Sequence, residues 1–267
     1  MITSATATAT TPRPAVRRAV GPWRVEWLRL FRTPRWIALF GVYLVFGLLG
    51  PVTAKYLADI LQRVQSEMTI LVPAPQPRDG IVNYLGQVTQ TGLVVVVVIA
   101  AGALAFDSRR GIAVFLRTRT SSMWRLLEPR LLVPIVAAVL AYAVGLLAAW
   151  YETALLLGPL PPGPMLAGFI CQAGYLAFVV TVVAAAAAVT RGVLPTVGTA
   201  LGGLILLSVA GSVSAIHRWL PSTLAGAQAE LLTTATMSDF VPALVVAAVA
   251  CVALTGFAVH RLGRRQL

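Results

Sequence analysis

Across 267 residues, 58% are hydrophobic and only 11% charged, with a mean hydropathy of +0.84 and a formal net charge of +12. Soluble domains carry roughly a quarter charged residues, so the composition excludes a soluble fold and sends the surplus apolar side chains into lipid. Nucleic acid is not the partner that the charge points to, because the basic residues are segregated along the chain rather than gathered into one patch.

The first 21 residues, rich in Ala and Thr with Pro12 and Pro14, read as a disordered cytoplasmic tail. They are not a signal peptide, since the basic cluster at Arg17 is followed by an amphipathic segment and not by an apolar run. Between Pro22 and Arg35, Trp23, Trp27, Leu30 and Phe31 recur at helical spacing, with Glu26, Arg29 and Arg32 expected on the opposite arc. That pattern predicts a helix lying along the interface, tryptophans at headgroup level and arginines toward anionic lipid. The plainer alternative is a basic flank that only sets topology.

Crossing a bilayer takes about 20 mostly apolar residues. Six such runs are predicted: 36–54, 87–106, 131–150, 165–189, 193–213 and 240–259, none interrupted by a charge. Residues 22–267 therefore form one transmembrane domain, all-α, with no room left for a soluble one. Seventeen of the 21 basic residues lie in the N-terminal segment, the loop after the second run, Arg191 and the tail. By the positive-inside rule those parts are cytoplasmic, which predicts a multi-pass protein of the bacterial inner membrane with both termini inside.

Two external segments carry further signals. In 55–80 the apolar face Leu57, Ile60, Leu61, Val64 and Met68 predicts a short surface helix, stopped by Pro73, Pro75 and Pro77. Asn83, Gln87, Thr89, Gln90 and Thr91 make the outer end of the second span polar, so it is expected to face protein or a wet cavity. Asn83, Gln87 and Gln90 there read either as part of a substrate path or as a helix-packing surface. Segment 214–239 is long enough for a structured external cap, helical over 224–232, and a break at Trp219-Leu220-Pro221 is compatible with a re-entrant hairpin.

Chemistry is sparse. A catalytic site needs a nucleophile with a base, paired carboxylates or metal ligands. The two histidines, His217 and His260, fall on opposite sides of the membrane, and Cys171 and Cys251 sit inside spans with no zinc or disulfide pattern. Ion-driven carriers place ionisable residues inside their spans, whereas Asp107 and Glu152 read as solvated helix ends. The single lysine, Lys55, lies in Thr-Ala-Lys-Tyr and belongs to no phosphate-binding loop. The sequence thus predicts no enzyme, no metal and no cofactor bound by this chain.

The largest inward loop runs Asp107-Ser-Arg-Arg-Gly-Ile-Ala-Val-Phe-Leu-Arg-Thr-Arg-Thr-Ser-Ser-Met-Trp-Arg-Leu-Leu-Glu-Pro-Arg130. Its order of acidic residue, basic pair, glycine, apolar pair, Thr/Ser turn and basic residue opening the next span resembles the loop of type-2 ABC transporter permeases. Asp107 stands where that family usually has Glu, and Gly111-Ile112 replaces its Gly-Thr step, while Gly111, Phe115, Leu116, Ser121 and Arg130 fall at matching places. The segment Glu26–Trp36 looks like the family's connecting helix before the first span.

The resemblance implies a cytoplasmic coupling helix formed by Asp107, Arg109, Arg110, Gly111, Phe115, Leu116, Arg117, Arg119, Ser121 and Arg125. It would dock on a separate ABC ATPase subunit that binds ATP and Mg. It also implies a homodimer, or a heterodimer with a homologous permease, whose interface forms the path; the polar outer end of span two and small residues of span five such as Gly198, Gly202 and Gly203 are the expected lining. The N-terminus lacks the basic signature of polysaccharide exporters, so the implied cargo is a lipophilic small molecule, drug or peptide. The competing reading is a non-transporting membrane protein: an anchor, an immunity factor or an assembly partner.

Overall fold

The computed structural model describes residues 22–64, 74–105 and 123–264. The tail 1–21 and the loop 106–122, which holds every proposed coupling residue except Arg125, lie outside the described residues. The described chain is helical throughout, with no strand. It comprises α1 (Pro22–Phe31), α2 (Arg35–Val64), α3 (Pro77–Gln87), a π-turn (Val88–Gly92), α4 (Leu93–Leu104), α5 (Met123–Leu156), α6 (Pro162–Val189) and α7 (Val193–Ala210). After these come α8 (Ser214–His217), a 3-10 turn (Pro221–Ala225), α9 (Ala227–Leu231) and α10 (Met237–Arg264).

Among the described residues six helical stretches are long and apolar enough to cross a membrane: Arg35–Leu57, Pro77–Leu104, Leu127–Leu156, Pro162–Val189, Val193–Ala210 and Met237–Arg264. The protein is a six-span, all-α membrane protein. α1 and the C-terminal end of α10 share one side, here the arginine-rich face, and the α8–α9 segment lies toward the opposite, far face. Two of the links between spans are short, 157–161 and 190–192, and each needs a glycine: Gly158 and Gly192 take φ of +122° and +118°, where a Cβ would be strained.

α6 is the central helix. In its apolar window 67% of residues are buried, against 17% for α7 and 22% for α10, so α7 and α10 leave most of their surface uncovered within one chain. The run Ala184–Ala188 suits that position, because small side chains let α4, α7 and α10 close on it. α2 packs along α5 and crosses it backbone to backbone: a Cβ on Gly145 would stand 2.5 Å from the Tyr43 carbonyl oxygen.

Several boundaries differ from the sequence expectation. As far as Val64 the expected surface helix is not separate from the first span, because α2 continues to there through Pro51; the rest of that expected helix, to Met68, lies outside the described residues. Pro77 starts a helix instead of stopping one. It follows the N-cap Gln76, whose backbone N–H donates to Asp79 Oδ2 at 2.8 Å, and the first helical turn is where proline's missing N–H costs nothing. The second span therefore begins ten residues earlier than its apolar core. Span three likewise extends beyond 131–150 at both ends, which brings Arg130 inside it, so the expectation of charge-free spans fails there.

Candidate functional site

Among the described residues, polar side chains cluster against the apolar bundle at both faces. On the arginine-rich face, α1 packs against the start of α5. Arg130 Nε donates to Glu26 Oε1 at 3.0 Å, and the residues are 8% and 7% exposed. Arg29 lies 3.6 Å from the same carboxylate, and its Nη2 donates to the Gly102 carbonyl at 2.8 Å. Gly102 belongs to the last turn of α4, where carbonyls lack intrahelical partners; a guanidinium there satisfies one and complements the helix dipole. Its missing side chain leaves room for Arg35, whose Nη1 would lie 3.0 Å from a Cβ.

The consequence is geometric. Gly102 lies just before the loop 106–122 and Arg130 just after it, so α1 grips both stems of that loop through Arg29 and Glu26. Glu26 does not sit on the solvent arc opposite the tryptophans, where its charge alone would place it. It shares the bundle-facing side with buried Leu30, while Trp23 and Phe31 are exposed and Trp27 is half-buried. The aromatic residues form their own row: Trp27 stacks on Phe31 at 5.7 Å, and Phe31 meets Trp36 at 6.2 Å. Arg125, the one proposed coupling residue within the described residues, is exposed on the first turn of α5.

The second cluster descends from the far face. Tyr142 of α5, fully buried, donates its hydroxyl to Gln228 Oε1 of α9. Gln228 Nε2 contacts Met165 Sδ at 3.5 Å, and Tyr84 donates to the Tyr142 carbonyl at 3.3 Å. Tyr43 meets Tyr142 edge-on at 6.2 Å, and Phe169 stacks on it at 6.1 Å. Gln228 fits because Gly168 has no side chain; a Cβ would stand 2.7 Å from Gln228 Cγ. The segment between the last two spans thus inserts α9 between α6 and α3, and reaches a tyrosine eight residues, about 12 Å of helix, inside Trp150. It is structured, as expected, though by the 3-10 turn and α9 in place of one helix over 224–232.

The proposed path residues separate. Asn83 and Gln87 are half-buried, whereas Gln90 and Thr91 are exposed. The packing face of α3 is instead Gly80, Ile81, Tyr84 and Leu85. The π-turn at Val88–Gly92 accounts for the split, since its wider winding rotates the face presented by α4 relative to α3. Gln87 Oε1 is buried without a hydrogen-bond partner among the described residues, as are Glu152 Oε2 and Thr153 Oγ1. Glu152, half-buried, stands four residues before the end of α5.

The chain is similar to a second membrane protein along nearly its whole length. That relative is the uncharacterized transmembrane protein YxlG of Bacillus subtilis (strain 168), 22% identical over 246 residues that make up 90% of this chain and 95% of the relative. No protein-family model and no solved structure matches the chain.

No group of three or more metal-binding side chains occurs among the described residues. Sequence reasoning missed both clusters. The available signals were Tyr43 and Tyr142 within spans one and three, Tyr84 just ahead of the second apolar run, and a glutamate at the apolar spacing of Leu30.

Proposed function

We propose that this chain is the transmembrane permease subunit of an ATP-driven ABC exporter, working as a dimer above separate ATPase subunits in the inner membrane, with both termini cytoplasmic. The observation that carries the reading is the clamp of α1 on both stems of the large arginine-rich loop, by Arg29 on Gly102 and Glu26 on Arg130. A loop held this way passes a push from a docked motor into spans two and three as rigid-body movement, the mode by which nucleotide-driven subunits shift membrane helices. A loop that only set topology would have no use for stems locked by a buried ion pair. Supporting it are the resemblance of the loop Asp107–Arg130 to type-2 ABC permeases and the exposed apolar face of α7, where Gly198, Gly202 and Gly203 have open space beside them for a second copy.

The test is affinity purification of the tagged full chain from its own host after mild crosslinking. The expected result is a stoichiometric P-loop ATPase that hydrolyses ATP in the captured complex and is lost in Arg109→Glu/Arg119→Glu, while the variant chain keeps its own melting temperature. A complex that survives both changes would overturn the coupling assignment. Capture of the chain without any P-loop protein would favour the anchor or assembly-partner reading instead.

A further inference from the structure

A groove of about 490 Å³ opens between α5, α6 and α10, in the half of the bundle nearest the arginine-rich face. The volume lies within the range of small-molecule sites, about 300–1,000 Å³. Leu131, Ile135 and Ala177 form its walls, with Val252 and Gly256 of α10 at the lipid side. A Cβ on Gly256 would meet nothing within 4 Å. The hydroxyl of Thr181, deep in the groove, is already engaged by the Phe178 carbonyl at 2.7 Å and the Cys251 sulfur at 3.6 Å. The depth of the groove is therefore hydrocarbon-like.

Its mouth is not. Trp124 and Glu128 line it one helical turn apart, on one side of α5. Among the described residues Glu128 is the only charged one lining the groove, on a face otherwise dominated by arginine, and it makes no ion pair with another of them. Trp124 is 48% exposed. A carboxylate beside an indole face is the pairing that attracts an organic cation, by charge and by the ring quadrupole. From Glu128 to Ile135 the helix rises about 10 Å, the length of a compact ring system.

We infer that this groove is a binding site for amphipathic organic cations dissolved in the adjoining leaflet, the apolar body seated against Ile135 and Val252 and the cationic end held at Glu128 and Trp124. It deepens the permease reading by naming a substrate class and rests on that reading only for transport; binding belongs to this chain alone.

The experiment uses the full-length chain in phosphatidylcholine nanodiscs without any ATPase, and rhodamine 6G, a lipophilic fluorescent cation, read by anisotropy against empty discs. The wild-type chain is expected to bind saturably. Glu128→Gln, isosteric and uncharged, is expected to weaken binding at least fivefold. Gly256→Leu, which fills the groove from its open side, is expected to weaken it at least tenfold, and both variants should keep the wild-type melting temperature. Glu128→Gln binding within twofold of wild type would overturn the proposal. So would failure to bind rhodamine together with Glu128-dependent retention of phosphatidylethanolamine, which would place a resident lipid in the groove. Because no ATPase is present, a negative result leaves the coupling test untouched, and loss of the ATPase partner leaves this binding measurable.

Discussion

Glu26 and Arg130 stand 104 residues apart and share a hydrogen-bonded ion pair of 3.0 Å in which neither residue is more than 8% exposed. A pair so placed is strongly asymmetric in its energetics. Removing one partner strands a buried charge, at about 3–5 kcal/mol, whereas replacing both by apolar groups of similar volume is often close to neutral. Glu26→Gln and Arg130→Met are each expected to lower the melting temperature sharply, and Glu26→Leu/Arg130→Met to recover most of the loss. Thermal unfolding read with a thiol-reactive dye suits the measurement, because Cys171 is buried and Cys251 half-buried in the native bundle. Additive losses in the double variant would count against the clamp.

The bond from Tyr142 to Gln228 is the tie between the far-face segment and the centre of the bundle. Tyr142→Phe leaves a buried amide oxygen without its donor, which costs about 1–3 kcal/mol. Gln228→Leu orphans the tyrosine hydroxyl to a similar extent. The two changes together are expected to cost clearly less than their sum, since the pair vanishes at once. Limited proteolysis gives an independent reading: cleavage within 221–235 should accelerate in either single variant.

How far the sequence foretells this molecule depends on the range of the interactions involved. The spans are legible because twenty consecutive apolar residues are a local signal that tertiary context does not alter. Helix ends are less so: Pro77 stops a helix or starts one according to whether it falls in the first turn, and only the capping contact of Gln76 with Asp79 decides that. α1 is legible as a helix but not in its orientation, because Glu26 owes its buried position to Arg130, across a hundred residues. Gln228 shows the same limit more strongly. Its segment reads as weakly helical, and nothing near it announces that Tyr142 waits inside span three with Gly168 cleared to admit it. The loop 106–122 remains a matter of sequence resemblance alone.

Glycines sort into two classes by what stands beside them, and stability should track the difference. At Gly145 an added Cβ would lie 2.5 Å from the Tyr43 carbonyl oxygen and 2.7 Å from the Tyr84 hydroxyl, so Gly145→Ala forces α2 and α5 apart and is expected to cost about 1–3 kcal/mol as overpacking. Gly41 has nothing within 4 Å; Gly41→Ala lies in a helix interior, where alanine is favoured over glycine by up to about 1 kcal/mol, and is expected to hold or raise the melting temperature. Equal effects at the two positions would contradict the backbone crossing.

Orientation across the membrane can be checked at two positions that the fold puts on opposite faces. Trp219 comes after α8 on the far face and is 58% exposed, whereas Arg191 lies in the turn between α6 and α7 on the arginine-rich face. The native thiols are buried or half-buried within spans, so an impermeant maleimide should report mainly on an added cysteine. In intact cells Trp219→Cys is expected to label and Arg191→Cys to label only after permeabilisation, because arginine-rich segments are retained on the cytoplasmic side. The reverse pattern would turn the loop 106–122 outward, beyond the reach of any cytoplasmic ATPase, and the permease reading would fall with it. The groove at Glu128 would then open to the outer leaflet, where its affinity for cations would still be measurable.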